Sequence, residues 1–219
     1  MNWYSFYIPE TNPSHYKKWY SLMASEKRLR ADSCRFEADR NRLVFGDMLA
    51  KLALSDFTGA PAESICFALS ANGKPYATGI SAEFNISHSG ELIVCAVDSQ
   101  KIGIDVEKIR PVPSRLVYRV CSEQECDLIF GDITANKHNM LADRLILERF
   151  YQVWTAKEAY CKYIGTGILT DLRQIPSNNA KIRTTIYGDY VISICCDHNQ
   201  ALPCSDGIWS CHREIAIPV

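Results

Sequence analysis

The sequence predicts an α+β protein of two similar lobes, joined near residue 102. Three observations carry this reading. Short runs rich in β-branched and aromatic residues alternate apolar with polar side chains, as half-buried strands do. Longer stretches place apolar residues at helical spacing. The order strand, helices, strands occurs twice along the chain, with no residue identity between the two halves. The lobes are drawn as residues 1–101 and 102–219.

The first lobe opens on "WYSFYI" (Trp3–Ile8), a strand by composition. A polar segment with helical spacing runs from Ser14 to about Ala53, with Ala38, Phe45, Leu49 and Leu52 on one face. "SICFAL" (Ser64–Leu69) reads as a strand and "NGKPY" (Asn72–Tyr76) as a turn, because glycine permits unusual backbone angles and proline fixes its own. "FNISHSG" reads as a polar turn, ahead of two strands, "ELIVCAV" and "IGIDVE". The second lobe continues from the strand Ile102–Glu107 into a proline-bounded link, "RPVPS". Helical patterns follow around Leu116–Ile129 and from Met140 to about Ile164, where Gly165 and Gly167 stop the second one. "KIRTTIY" and "YVISICC" alternate as strands, and a last strand lies near "GIWSCHREIAI".

Composition narrows the function. A chain of 219 residues can bury a sizeable core. Its net charge of −1 argues against a general nucleic-acid binder. No apolar run approaches the length of a membrane span, and "MNWYSFYIPE" lacks the basic start and apolar core of a secretory signal. The ten cysteines show no zinc-type spacing. They read as free thiols of a cytoplasmic protein, with residues such as Cys95 acting as small core hydrophobes.

The candidate chemistry lies in two stretches. In "GIDVEK", Asp105 and Glu107 stand two apart on a strand, so both carboxylates share one face, while Ile102, Ile104 and Val106 face the other way. Two like charges side by side call for solvent, a cation or a basic partner. In "WTAKEAYCK" (Trp154–Lys162), Glu158 and Lys162 are four apart on one helical face, and Lys157 points elsewhere. An ordinary ion pair explains the second stretch if it stands alone. Brought together, Asp105, Glu107 and Glu158 would form an oxygen-rich site suited to Mg²⁺, a cation that keeps waters and binds substrate phosphates. Lys162 beside it would hold a phosphate oxygen or give up a proton. Lys27, Arg30 and Arg42 lie in a locally basic region, with eight Lys/Arg against four Asp/Glu between Lys17 and Arg42. A solvated helix face is the plainer reading of that region. With Lys74 and His88, the three also compose a pocket for several phosphates.

"GKP", "SHS", "GIDVE" and "WTAKEAYCK", in that order, resemble the 4′-phosphopantetheinyl transferases of the surfactin-synthetase-activating type. One family pattern, (V/I)G(V/I)D, corresponds to Ile102–Asp105. The other, (F/W)(S/C/T)xKE(A/S)xxK, corresponds to Trp154–Lys162. The resemblance spans about residues 1 to 175. It implies two pseudo-symmetric α/β lobes with the active site at their interface. It also implies transfer of the phosphopantetheine arm of coenzyme A to a serine of an apo acyl or peptidyl carrier protein, releasing 3′,5′-ADP. By the same resemblance Asp105, Glu107 and Glu158 are Mg²⁺ ligands. Lys162 acts at the pyrophosphate, and Glu158 is the base for the serine, directly or through water. Lys27, Arg30, Arg42, Lys74, Ser87 and His88, with Asp105, Lys157 and Lys162, form the implied coenzyme A set. A monomer is expected, since one chain supplies both lobes. Where family members often carry an aromatic pair before an SxxE segment, this chain has Val120–Cys121 before "SEQE". The rival readings are another Mg²⁺-dependent phosphotransferase, for which no Walker or kinase signature is present, and a module that binds coenzyme A or a carrier protein without turnover.

Overall fold

In the computed structural model the described residues are 1–8, 13–71, 73–131, 140–165, 171–197 and 212–214. The chain divides into two compact units. One comprises Met1–Ile102 together with the C-terminal part that holds the last strand; the other is Gly103–Ala201.

The first unit is built on a sheet of four strands: β1 (Asn2–Tyr7), β4 (Glu83–Ser89), β5 (Leu92–Asp98) and β11 (His212–Glu214), in the order β11-β1-β5-β4. Its antiparallel register sets Trp3 opposite Ala96 and Ser87 opposite Val94. The helical pattern read from Ser14 to Ala53 resolves into three helices, α1 (Pro13–Ser21), α2 (Ser25–Asp32) and α3 (Glu37–Thr58). Glu37 and Asp39 sit in the first turn of α3, where negative charge complements the helix dipole. Gly59 ends it in the left-handed conformation, φ 79°, with its N–H on Ser55 O at 2.8 Å. Phe45, Met48 and Leu49 are fully buried in the core shared with Tyr4, Ile93 and Cys95. Ala38 is exposed, because the first turn of α3 runs clear of that core.

Two local readings are corrected here. The strand read over Ser64–Leu69 begins as a 3₁₀ turn (Ala62–Ser64), and only β2 (Phe67–Leu69) pairs, with β3 (Pro75–Ala77), around the Lys74 turn. "FNISHS" is not a turn but most of β4; the reversal comes after it, at Gly90 with φ 56°. The polar residues Asn85, Ser87 and His88 disguised the alternation that pairs with β5.

The second unit holds β6 (Ile102–Lys108), β9 (Ile182–Tyr187) and β10 (Tyr190–Cys196) in the order β6-β10-β9. The long helix α6 (Arg144–Ile164) packs on β10 and β9. Asp143 caps it, accepting from Ile146 N at 3.0 Å, and Gly165 closes it at φ 77°. Gly167, the other expected stop, lies outside the described residues. The pattern over Leu116–Ile129 is two helices, α4 (Ser114–Val120) and α5 (Glu123–Phe130). They are separated because Ser122 and Glu125 form a reciprocal capping box that starts a new helix. Within the proline-bounded link, β7 (Val112–Pro113) pairs with β8 (Met140–Leu141). The stretch 132–139 lies outside the described residues. The last expected strand is short: β11 runs parallel to β1 in the first unit, pairing His212 with Trp3. Among the described residues no helix is long and apolar enough to cross a membrane. Cys34, Cys66, Cys95, Cys121, Cys126, Cys161, Cys195 and Cys196 are free thiols.

Candidate active site

The second unit's candidate residues lie where β6 meets α6. Side chains alternate along β6. Ile102, Ile104 and Val106 are fully buried on one face, and Gly103, Asp105 and Glu107 occupy the other. At Gly103 the helix comes very close. A Cβ there would stand 2.1 Å from the Ala159 carbonyl oxygen and 2.5 Å from the Tyr163 nitrogen. No side chain larger than hydrogen fits, so this glycine serves the contact rather than a turn. The contact places Asp105 beside the helical residues just before those two positions, Glu158 and Lys162.

Lys162 Nζ donates to Asp105 Oδ1 at 2.7 Å and to Ile104 O at 3.0 Å. The Lys162 side chain is 27% exposed and that of Asp105 only 7%, so the pair sits at the margin of the interior. Burial, first of all, raises the Glu158 carboxyl above its ordinary value. The charge of Asp105 adds to this, Lys162 opposes it, and Glu107 adds a smaller push. A carboxyl so placed holds a proton more readily than an exposed glutamate, which is what a general base requires.

Glu158 therefore senses the charges of the other two expected metal ligands. Yet among the described residues no three His, Cys, Asp or Glu side chains are gathered closely enough to hold a metal ion. The Asp105 carboxylate is bonded to the Lys162 ammonium. The donor set itself fits a hard divalent cation. It is all oxygen, partly buried, and its mutual repulsion is what a cation would offset.

Lys157 does not belong with these groups. Its side chain is fully buried, and its ammonium donates to Val120 O at 3.0 Å, to Leu172 O at 2.9 Å and to a Glu125 carboxylate oxygen. All three N–H bonds are spent inside the second unit, on Val120, Glu125 and Leu172. It pins the end of α4, the start of α5 and the 3₁₀ turn Leu172–Gln174 onto α6. Burial raises the Glu125 carboxyl, but hydrogen bonds from Lys157, Ser177 and the Ser122 N–H outweigh it and hold the group below its ordinary value.

The first unit carries the basic candidates. Arg42, on α3, donates to Gly90 O at 3.1 Å and pairs with Asp39. This bond brings it to the end of β4 that carries Ser87 and His88, with Ser87 buried and His88 exposed. Lys27, on α2, is bound to Asp47 Oδ1 of α3 at 2.6 Å and lies over the Phe67 ring. Arg30 is exposed on the same helix. Lys74 is held near Glu83, 3.5 Å away, at the opposite end of β4. Five residues of strand, about 17 Å, separate Glu83 from His88. Arg42 is bonded at Gly90, in the turn that follows the His88 end of β4, while Lys74 is paired at the other end of that strand. Gly103 and Glu125 were not singled out from the sequence. The available signals were a glycine in mid-strand and a glutamate three after a serine.

Residues 101–205 match the family model described as the 4′-phosphopantetheinyl transferase superfamily, and residues 10–100 match one described as 4′-phosphopantetheinyl transferase, N-terminal. The chain is similar to a 4′-phosphopantetheinyl transferase of Bacillus subtilis, 31% identical over 200 residues that cover 91% of this chain and 82% of the relative. It is similar to 4′-phosphopantetheinyl transferase Sfp of Bacillus subtilis strain 168, 30% identical over 86% of this chain and 77% of that one. It is also similar to 4′-phosphopantetheinyl transferase HetI of Nostoc sp., 30% identical over 81% and 76%. Two family models matched in chain order, and a relative matched over nine-tenths of the chain, agree with the motifs seated on β6 and α6: the chain belongs to the 4′-phosphopantetheinyl transferase family.

Proposed function

We propose that this protein transfers the 4′-phosphopantetheine of coenzyme A to a serine of an apo acyl or peptidyl carrier protein, releases 3′,5′-ADP, and uses Mg²⁺. The observation that carries the reading is the cluster on β6 and α6: two carboxylates on one strand face, a glutamate with a raised pKa, and a lysine bonded to Asp105.

Asp105, Glu107 and Glu158 would hold the cation. Bound there, Mg²⁺ would neutralise the coenzyme A pyrophosphate and ease attack at its β-phosphorus. Glu158 accepts the proton of the carrier serine as its oxygen bonds to that phosphorus, a role that typically contributes about 10²–10⁴-fold. Lys162 meets the negative charge that grows on the departing phosphate oxygen as the pyrophosphate bond breaks. Arg42 and His88, with Lys27, Arg30, Lys74 and Ser87, bind the nucleotide and its 3′-phosphate. Arg42 can grip a phosphate with two parallel charge-assisted bonds. The acidic surface usual for carrier domains suits the basic stretch between Lys17 and Arg42.

The test is incubation with coenzyme A, Mg²⁺ and a panel of apo carrier proteins, read by intact mass. One phosphopantetheine on a carrier serine, lost in excess chelator, is expected. A panel left unmodified by active-condition protein, with coenzyme A still bound, would favour a binding module instead.

A further inference from the structure

Val191, Ser193 and Cys195 share one face of β10, because side chains alternate along a strand. Val191 belongs to the apolar cluster that holds Leu147, Phe150 and Tyr151 of α6, and Cys195 to the one that holds Ala156 and Ala159 of the same helix. Ser193 stands between the two and is fully buried. Its hydroxyl lies 2.7 Å from that of Thr155, which is also fully buried and sits near the middle of α6. It lies 2.7 Å from the Thr184 hydroxyl as well, directly across the strand pair β9–β10. Thr155 Oγ1 donates to Tyr151 O at 2.8 Å. A hydroxyl has one proton to give. Thr155 gives its own to Tyr151, so Ser193 donates to Thr155 and Thr184 donates to Ser193. The chain of hydroxyls therefore has one direction, from β9 through β10 into α6.

We propose that Ser193 is a positioning residue for the transfer reaction: its bond to Thr155 fixes α6 along the sheet, and so holds Glu158, three residues further on, where the carrier serine gives up its proton. The inference rests on the reading of Glu158 as the base. Its physical ground is a difference in kind between contacts. Apolar contacts have no preferred direction, so the clusters on either side would let α6 shift along β10 at little cost. A hydrogen bond weakens steeply as its length and angle leave the ideal. The close contact at Gly103 sets how near α6 lies to β6, and the hydroxyl pair sets where it lies along β10, the middle strand of the sheet. Misplacing a catalytic group by about 1 Å can cost about a hundredfold in rate.

The direction of the chain makes the test clean. In Ser193→Ala, Thr155 keeps Tyr151 O for its proton, and half-buried Thr184 can turn its own to water. No buried donor is stranded, so the protein should fold with a small fall in the urea midpoint. The kcat for transfer from coenzyme A to an apo carrier should fall about ten- to a hundredfold, with KM for coenzyme A nearly unchanged. Because Ser193 acts through Glu158, the same substitution made in Glu158→Gln should slow the enzyme much less. Thr155→Ser keeps the hydroxyl and should keep the rate. Wild-type kcat in Ser193→Ala, the same fold-loss in both backgrounds, or a Thr155→Ser enzyme as slow as Ser193→Ala overturns this inference alone. A Glu158→Gln enzyme as fast as wild type removes both this inference and the reading beneath it. Should Ser193→Ala not fold, Ser193→Cys keeps the size of the group with a weaker donor. Its kcat should also fall, and an unchanged value would sink the proposal.

Discussion

Lys157 and Lys162 lie five positions apart on α6 and do opposite work. Lys157 is an interior cation with three acceptors. Removing one member of a buried pair leaves the other charge uncompensated, at about 3–5 kcal/mol. Lys157→Met should therefore destabilise strongly, and Lys157→Met with Glu125→Gln should recover much of the loss. Urea denaturation of the four proteins in that cycle measures it. The pair also has a pH signature. The folded-state carboxyl of Glu125 is held low, so its stabilisation is fully present above the unfolded value near 4.5 and disappears as pH falls through the folded value. The stability gap between wild type and Glu125→Gln should hold at neutral pH and shrink below about pH 4.5. A gap that widens with acid would reverse the assignment. At the other end of the chain, Arg42→Ala should weaken coenzyme A by roughly ten- to a hundredfold and dephospho-coenzyme A little. Comparing kcat/KM for the two substrates checks this, and equal losses would mean that Arg42 only braces the turn at Gly90.

Among the elements, β6 and α6 matter most, because their spacing sets the site. Gly103→Ala places a Cβ against main-chain atoms that have no rotamer to escape into. Strand and helix must separate, at a cost of at least about 3 kcal/mol, the upper end for overpacked cores. A lowered melting temperature is expected, together with loss of turnover beyond what unfolding explains, since Lys162 no longer reaches Asp105. A variant as stable and as active as wild type would show that the close approach is dispensable. The capping box at α5 is a smaller device. Ser122→Ala should cost about 1 kcal/mol, seen as a modest fall in the urea midpoint, with the chemistry intact.

At the scale of the whole molecule, stability and function pull against each other. Glu158 is partly buried beside two other carboxylates, which disfavours its charged form. Glu158→Gln should therefore raise the urea midpoint of the metal-free protein at neutral pH while lowering the rate by about 10²–10⁴-fold or more. A variant both less stable and fully active would contradict both halves.

Much was readable from the chain itself. The alternation in "LIVCAV" and "YVISICC", the helical spacing of α3 and α6, and the glycine that closes α6 are local properties, set by backbone geometry and by which side chains water excludes. The motif residues Asp105, Glu107, Glu158 and Lys162 were legible for the same reason, since spacing alone decides which side chains share a face. Partnership between distant segments was not. Only the tertiary structure sends β5 and β6, consecutive in sequence, into different sheets, and returns β11 to β1. It also turns Lys157 into the core and Lys162 onto Asp105. A lysine's role is decided by which carboxylate comes within about 3 Å of it, and that depends on how surfaces far apart in sequence close on each other.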